Sequence, residues 1–148
     1  MQSPEFENLH QKYQGVKSSQ LDGDQFGTLV MFFPSLLVVA SDGIIDEEEW
    51  VYVKYLAKFM ADTYKNDLGE EARKSLESQY FAELNFLISN LDEWEPKFVD
   101  TLRAYLETNP LVKEDVLEIL YLFAEASDGE SEEETLKINA LKQELILE

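Results

Sequence analysis

The chain contains no cysteine, which excludes disulfides, thiolate metal sites and cysteine nucleophiles and fits a reducing cytoplasm. Histidine occurs once, at position 10. Glu7 and His10 have the spacing of half a di-iron carboxylate site, but such a bundle needs a second pair and two further glutamates. His10 therefore reads as a solvated residue on a short helix. Basic residues are scarce: twelve Lys and Arg stand against thirty-one Asp and Glu, a formal charge of −19. That field repels phosphate backbones and anionic lipid head groups and attracts cations and basic protein surfaces. It argues against nucleic acid as a partner and leaves an acidic DNA mimic as a distant alternative. Long apolar runs are missing too. The most apolar stretch, Leu29 to Ala40, is interrupted by Pro34 and Ser35 and falls short of the about 20 residues a membrane-spanning helix needs. The N-terminal residues lack a basic start followed by an apolar block, so no signal peptide is expected. Also missing are G-x-x-x-x-G-K-[ST], H-E-x-x-H and G-x-S-x-G. Carboxylate pairs abound, yet nothing sets two of them in a dry pocket with separated pKa values. No enzymatic activity is expected.

What is present suffices for one folded domain. The 148 residues are 45% hydrophobic, with nine Phe, seven Tyr and two Trp, enough for a substantial core. Phe6, Leu9, Tyr13 and Val16 are spaced three and four apart, which predicts a short N-terminal amphipathic helix ending near Gly15. Residues 1–23 read as a peripheral helix and loop, with Asp22-Gly23-Asp24 a plain turn. Asp24 to Ser41 is apolar on nearly all sides, as a central helix is. Pro34 is expected to kink that helix or to open a new one, and Asp42-Gly43 to stop it.

Further helices are predicted over 46–64 (Trp50, Val53, Leu56, Ala57, Met60), 70–90 (Ala72, Leu76, Phe81, Leu84, Ile88) and 92–107 (Trp94, Phe98, Leu102, Tyr105). Two more follow, over 110–127 and 131–147. No run alternates with period two, so the fold class is all-α, about seven helices in one bundle. Helix 46–64 is unusual: Trp50, Val51, Tyr52, Val53 and Tyr55 leave few polar positions in its first turns. Some of these must face outward, which marks a partner surface or burial on two sides.

One feature repeats. Residues 37–49, LVVASDGIIDEEE, recur as 123–134, FAEASDGESEEE. In both copies an apolar helix runs into Ser-Asp-Gly, and a second helix starts under a block of carboxylates. The pattern predicts two related helical hairpins about a pseudo-twofold axis. Asp46 is a good N-cap with Glu49 three residues on, a capping-box arrangement that Ile45 and Trp50 complete as a staple. In the second copy Ser131 and Glu134 take those places, in a loop one residue shorter. Helix initiation accounts for these carboxylates, each worth about 0.3–1 kcal/mol near a helix N-terminus. The sharper reading is a site for a hard divalent cation, Ca²⁺ or Mg²⁺, which prefer oxygen ligands. Asp42, Asp46 and Glu49 form the first candidate set.

The stretch Ala-Ser-Asp-Gly-Ile-Ile-Asp-Glu-Glu-Glu, residues 40–49, resembles the signature of the TerB family of tellurite-resistance and stress-response proteins. That signature is an Ala-x-Asp-Gly turn, then an acidic helix start with a Glu seven residues after the Asp, here Asp42 and Glu49. The resemblance covers about Leu29 to Met60 and, in a second copy, Leu117 to Leu145. It implies a small helical protein of two similar halves. It also implies a cation site at Asp42, Asp46 and Glu49 and another at Asp128 and Glu134, the latter departing from the pattern by its missing residue. The implied role is a cytoplasmic binding or scaffold domain with a protein partner, linked to stress response and peripheral assembly at the inner membrane surface. A purely structural interaction module without metal is the main alternative.

Overall fold

The computed structural model describes residues 4–40, 47–126 and 132–147, with the backbone alone at 48, 122–126 and 133. Among these residues the chain forms seven helices and no strand: α1 (Pro4–Val16), α2 (Gly23–Val39), α3 (Glu47–Asp62), α4 (Glu70–Ser89), α5 (Leu91–Thr108), α6 (Val112–Ala126) and α7 (Glu132–Glu144). None of them is long and apolar enough to cross a membrane.

The centre is α2. Every residue from Phe26 to Val39 is buried, which requires neighbours on all sides, and α1, α3, α5, α6 and α7 supply them. The helix begins one residue earlier than the spacing predicts, because Asp22 is its N-cap. The Asp22 carboxylate accepts from the Gln25 N–H at 2.8 Å, and the Gln25 side chain accepts from the Asp22 N–H at 3.0 Å. This reciprocal pair satisfies two of the orphan N–H groups at the helix start. The helix then runs unbroken through Pro34. A mid-helix proline removes one backbone bond and crowds the preceding turn, and burial of the whole segment outweighs that cost. Ser35, fully buried, donates its hydroxyl to the Ile119 carbonyl of α6 at 3.3 Å.

Around α2 the other helices pair. The α3–α4 pair is antiparallel: Asp62 meets Arg73 near the connecting turn, and Trp50 meets Phe81 at the far end. In the same way α1 runs antiparallel to α5, with Phe6 stacked on Tyr105 and Tyr13 edge-on to Trp94. The N-terminal helix is integral to the core. Tyr13 is fully buried, between Phe26, Phe86, Trp94 and Phe98, whereas Val16 is 60% exposed. The α5 spacing predicts its core correctly: Trp94, Phe98, Leu102 and Tyr105 are all buried.

In α4 the buried stripe is Leu76, Tyr80, Glu83, Leu84 and Leu87, while Ala72 is exposed and Phe81 and Ile88 are half-buried. The stripe is rotated from the predicted one because α4 lies between two neighbours. Tyr80 reaches the Gln25 carbonyl of α2 at 2.7 Å on one side, and Phe81 turns to Trp50 of α3 on the other. The buried apolar side chains form one continuous cluster.

Candidate interaction face and acidic corners

Helix α3 has a two-sided chemistry written in its sequence. Val53, Leu56, Ala57, Met60 and Ala61 point into the core. With 3.6 residues per turn, the opposite side must then carry Val51, Lys54, Tyr55, Lys58 and Phe59, and all five are exposed. Val51, Tyr55 and Phe59, spaced four apart, are 48%, 51% and 43% exposed. They form an apolar ridge along one side of the helix. Tyr52, half-buried, continues the ridge on one flank. On the other flank Lys54, Ala57, Glu77, Ser78 and Phe81 line a shallow groove of about 220 Å³ between α3 and α4. The outward face expected from the apolar first turns of this helix is thus present and is assigned to three residues.

The acidic corners are placed in part. The first helix of each repeat ends at Val39 and Ala126, and the second begins at Glu47 and Glu132. Those starts put Glu49 and Glu134 at the third helical position, where a capping box needs its acidic partner, and both side chains are half-buried. The helix start falls five residues after Asp42 in the first copy and four after Asp128 in the second, matching the shorter second loop. Asp42, Asp46 and Asp128, and the caps Asp46 and Ser131, lie outside the described residues. Among the described residues, no three His, Asp or Glu side chains gather closely enough to hold a metal ion.

Other candidates resolve into structure. His10 is half-buried rather than solvated: its ring stacks on Phe26 with centroids 4.6 Å apart, and Nε2 lies 3.1 Å from the Leu21 carbonyl. Asp22 is occupied as a helix cap, so Asp22-Gly23-Asp24 is a capped helix start. Sequence reasoning missed Glu83. This carboxylate, almost fully buried, accepts from the Tyr13 hydroxyl at 2.5 Å and faces the Lys17 ammonium at 3.5 Å. Burial first, and the carboxylate second, push the Tyr13 phenol well above its ordinary range. Burial also raises Tyr80, with neighbouring Tyr64 adding to it. The signal for Glu83 lay in its spacing from Leu76, Tyr80 and Leu87, which places it on the apolar stripe of α4. The cluster ties α1 to α4.

Comparison with family models, with curated proteins and with solved structures finds no match to this chain.

Proposed function

We propose that this chain is a non-enzymatic, acidic helical binding domain of TerB-like type, whose docking surface for a protein partner is the outer face of α3. The observation that carries this reading is the ridge of Val51, Tyr55 and Phe59, three large apolar side chains left exposed on one helix face. A solvent-facing helix gains nothing in folding from such a ridge; a partner that covers it does. Photocrosslinking tests the assignment. With a photoreactive phenylalanine analogue at position 55, cells of the source organism should yield a discrete adduct. The same analogue at Leu111, an apolar residue still more exposed, should not. Equal labelling at both positions, or none at 55, would remove the assignment.

The finer part of the reading places a divalent cation, Ca²⁺ or Mg²⁺, at Asp42, Asp46 and Glu49, and in the second corner at Asp128 and Glu134. It is supported by the repeat and by the matched third-position glutamates of α3 and α7. A cation at a hundred times its dissociation constant stabilises the fold by about 2.7 kcal/mol. Melting temperature and Trp50 fluorescence followed through a Ca²⁺ or Mg²⁺ titration should therefore saturate, and Asp42→Asn should abolish the effect. A response equal to that of NaCl at matched ionic strength would leave the corners as helix starts alone. Stress response, tellurite resistance and peripheral assembly at a membrane surface enter this proposal only through the TerB resemblance.

A further inference from the structure

The face of α3 departs from the rest of the molecule in charge as well as in polarity. The chain averages one carboxylate in every five residues, yet Val51 to Ala61 contains none. Within that window the only charges are Lys54 and Lys58, both exposed. Three exposed bases elsewhere are matched one turn away on their own helix, Lys74 by Glu70, Lys97 by Glu93 and Arg103 by Glu107, whereas Lys12 and Lys65 are exposed and outside any ion pair among the described residues. Lys54 and Lys58 have no such partner among the described residues. The positions one turn from Lys54 are Trp50 and Lys58, and Asp62, one turn beyond Lys58, is held by Arg73 at 2.5 Å. The two lysines also stand four apart on one helix, a like-charge spacing that weakens the helix slightly. Lys54 and Lys58 thus stand one turn apart beside an apolar ridge, in a stretch of helix that carries no acid of its own.

Helical geometry puts the lysines along one flank of the ridge, on the side of α4, where Lys54 borders the groove with Glu77 and Phe81. The face is thus two parallel rows: apolar Val51, Tyr55 and Phe59, and basic Lys54 and Lys58. Resting on the assignment of α3 as the docking surface, we infer that its occupant is an acidic amphipathic helix of a partner protein. Apolar side chains of that helix would lie on the ridge, and Asp or Glu one turn apart would face the two lysines. This is helix-against-helix recognition with charge setting the partner and the register. A second copy of this chain is the poorer occupant, because a twofold contact sets this face against itself, and the facing Val51–Ala61 stretch offers Lys54 and Lys58 no carboxylate.

The test uses the full chain and labelled synthetic peptides of about 18 residues, long enough for five helical turns. One peptide carries a leucine stripe flanked by glutamates, a second has lysines in place of the glutamates, and a third scrambles the first. Fluorescence anisotropy should show saturable binding of the glutamate peptide and none of the scramble. The double variant Lys54→Glu/Lys58→Glu, with its melting temperature unchanged, should weaken that binding by about tenfold, the scale of two exposed charge pairs reversed. It should also strengthen the lysine peptide, a charge swap that non-specific attraction to the acidic surface does not reproduce. Tyr55→Ser should weaken both complexes. Three outcomes overturn the inference: no binding of the glutamate peptide, binding indifferent to the lysine variants, or concentration-dependent dimerisation that Tyr55→Ser abolishes. Failure here with successful crosslinking at position 55 rejects the acidic helix and leaves the surface. Failure of both rejects the surface.

Discussion

At the scale of single residues, the contact between Tyr13 and Glu83 has a measurable consequence. The phenol, fully buried, donates to an almost fully buried carboxylate, and the neutral form of Tyr13 is strongly favoured in the folded state. In the unfolded chain the same group ionises near pH 10. Between the two values the unfolded state releases a proton that the native state keeps, so stability is complete below about pH 10 and falls above it. Each such tyrosine contributes a slope of about 1.4 kcal/mol per pH unit, and Tyr80 behaves in the same way. Urea unfolding at neutral pH should find Tyr13→Phe destabilised by about 1–3 kcal/mol, because Glu83 loses a donor in a dry site. From pH 10 upward the variant should lose stability less steeply than the parent. Parallel curves would mean that Tyr13 is already ionised or solvated in the native protein.

A second residue is strained by its backbone. Ile146 has φ of 54°, the left-handed region that β-branched residues avoid. It sits just past the end of α7, where Ile146 N–H donates to the Gln143 carbonyl at 3.3 Å and Leu147 N–H to the Lys142 carbonyl at 2.9 Å. That pair of bonds is a Schellman ending, whose left-handed position is usually glycine. The geometry is held because Leu147 is buried while Ile146 is largely exposed. Ile146→Gly should therefore stabilise the protein by about 1 kcal/mol. Chemical denaturation decides the sign, and a loss of stability would show that the isoleucine side chain outweighs its backbone cost.

At the scale of elements, helix starts differ in how they are closed. Asp22 caps α2 through side-chain bonds in both directions, while Gly69 opens α4 with no side-chain cap. Asp22→Ala should cost about 1 kcal/mol. Gly69→Ser should gain a few tenths, since the backbone there is extended and a Cβ meets nothing within 4 Å. Opposite shifts in urea midpoint are the expected result, and equal ones would mean that neither cap bond forms in solution.

The same comparison explains what was legible. The capping box at Asp22 is a local D-x-x-Q pattern, though the turn composition of Asp22-Gly23-Asp24 points to a helix start at Asp24. The enclosure of α2 is readable because the helix is apolar all round, and the core of α5 because its apolar spacing leaves one choice of inward face. In α4 the spacing allows two inward faces, and which one wins depends on α2 and α3, partners far away in sequence. For that reason the sequence marks no role for Glu83 and points to a solvated His10: burial of a polar residue depends on a distant neighbour, here Tyr13 and Phe26. The candidate face on α3 was legible as a surplus of apolar residues in its first turns. The lysine row beside it emerges only when the inward side is known, because charge gains meaning from what lies within a few ångströms.

At the scale of the whole molecule, 31 carboxylates in 148 residues make self-repulsion the dominant long-range term. Six of the twelve bases are tied into ion pairs with carboxylates among the described residues, and three of those pairs are solvent-exposed and worth less than about 1 kcal/mol each. The compact state therefore holds like charges close together with little local compensation, whereas the unfolded chain spreads them apart. Salt screens such repulsion over a Debye length of about 10 Å at 0.1 M. Melting temperature should accordingly rise as NaCl is taken from low to physiological concentration and then level off. The expected gain is on the order of several degrees, since about 1 kcal/mol shifts a domain of this size by about 4 °C. The curve also supplies the baseline against which divalent cations must be judged, because screening acts on every carboxylate, whereas a site saturates and depends on Asp42. A melting temperature indifferent to NaCl would mean that the charges are far enough apart in the native fold to ignore one another.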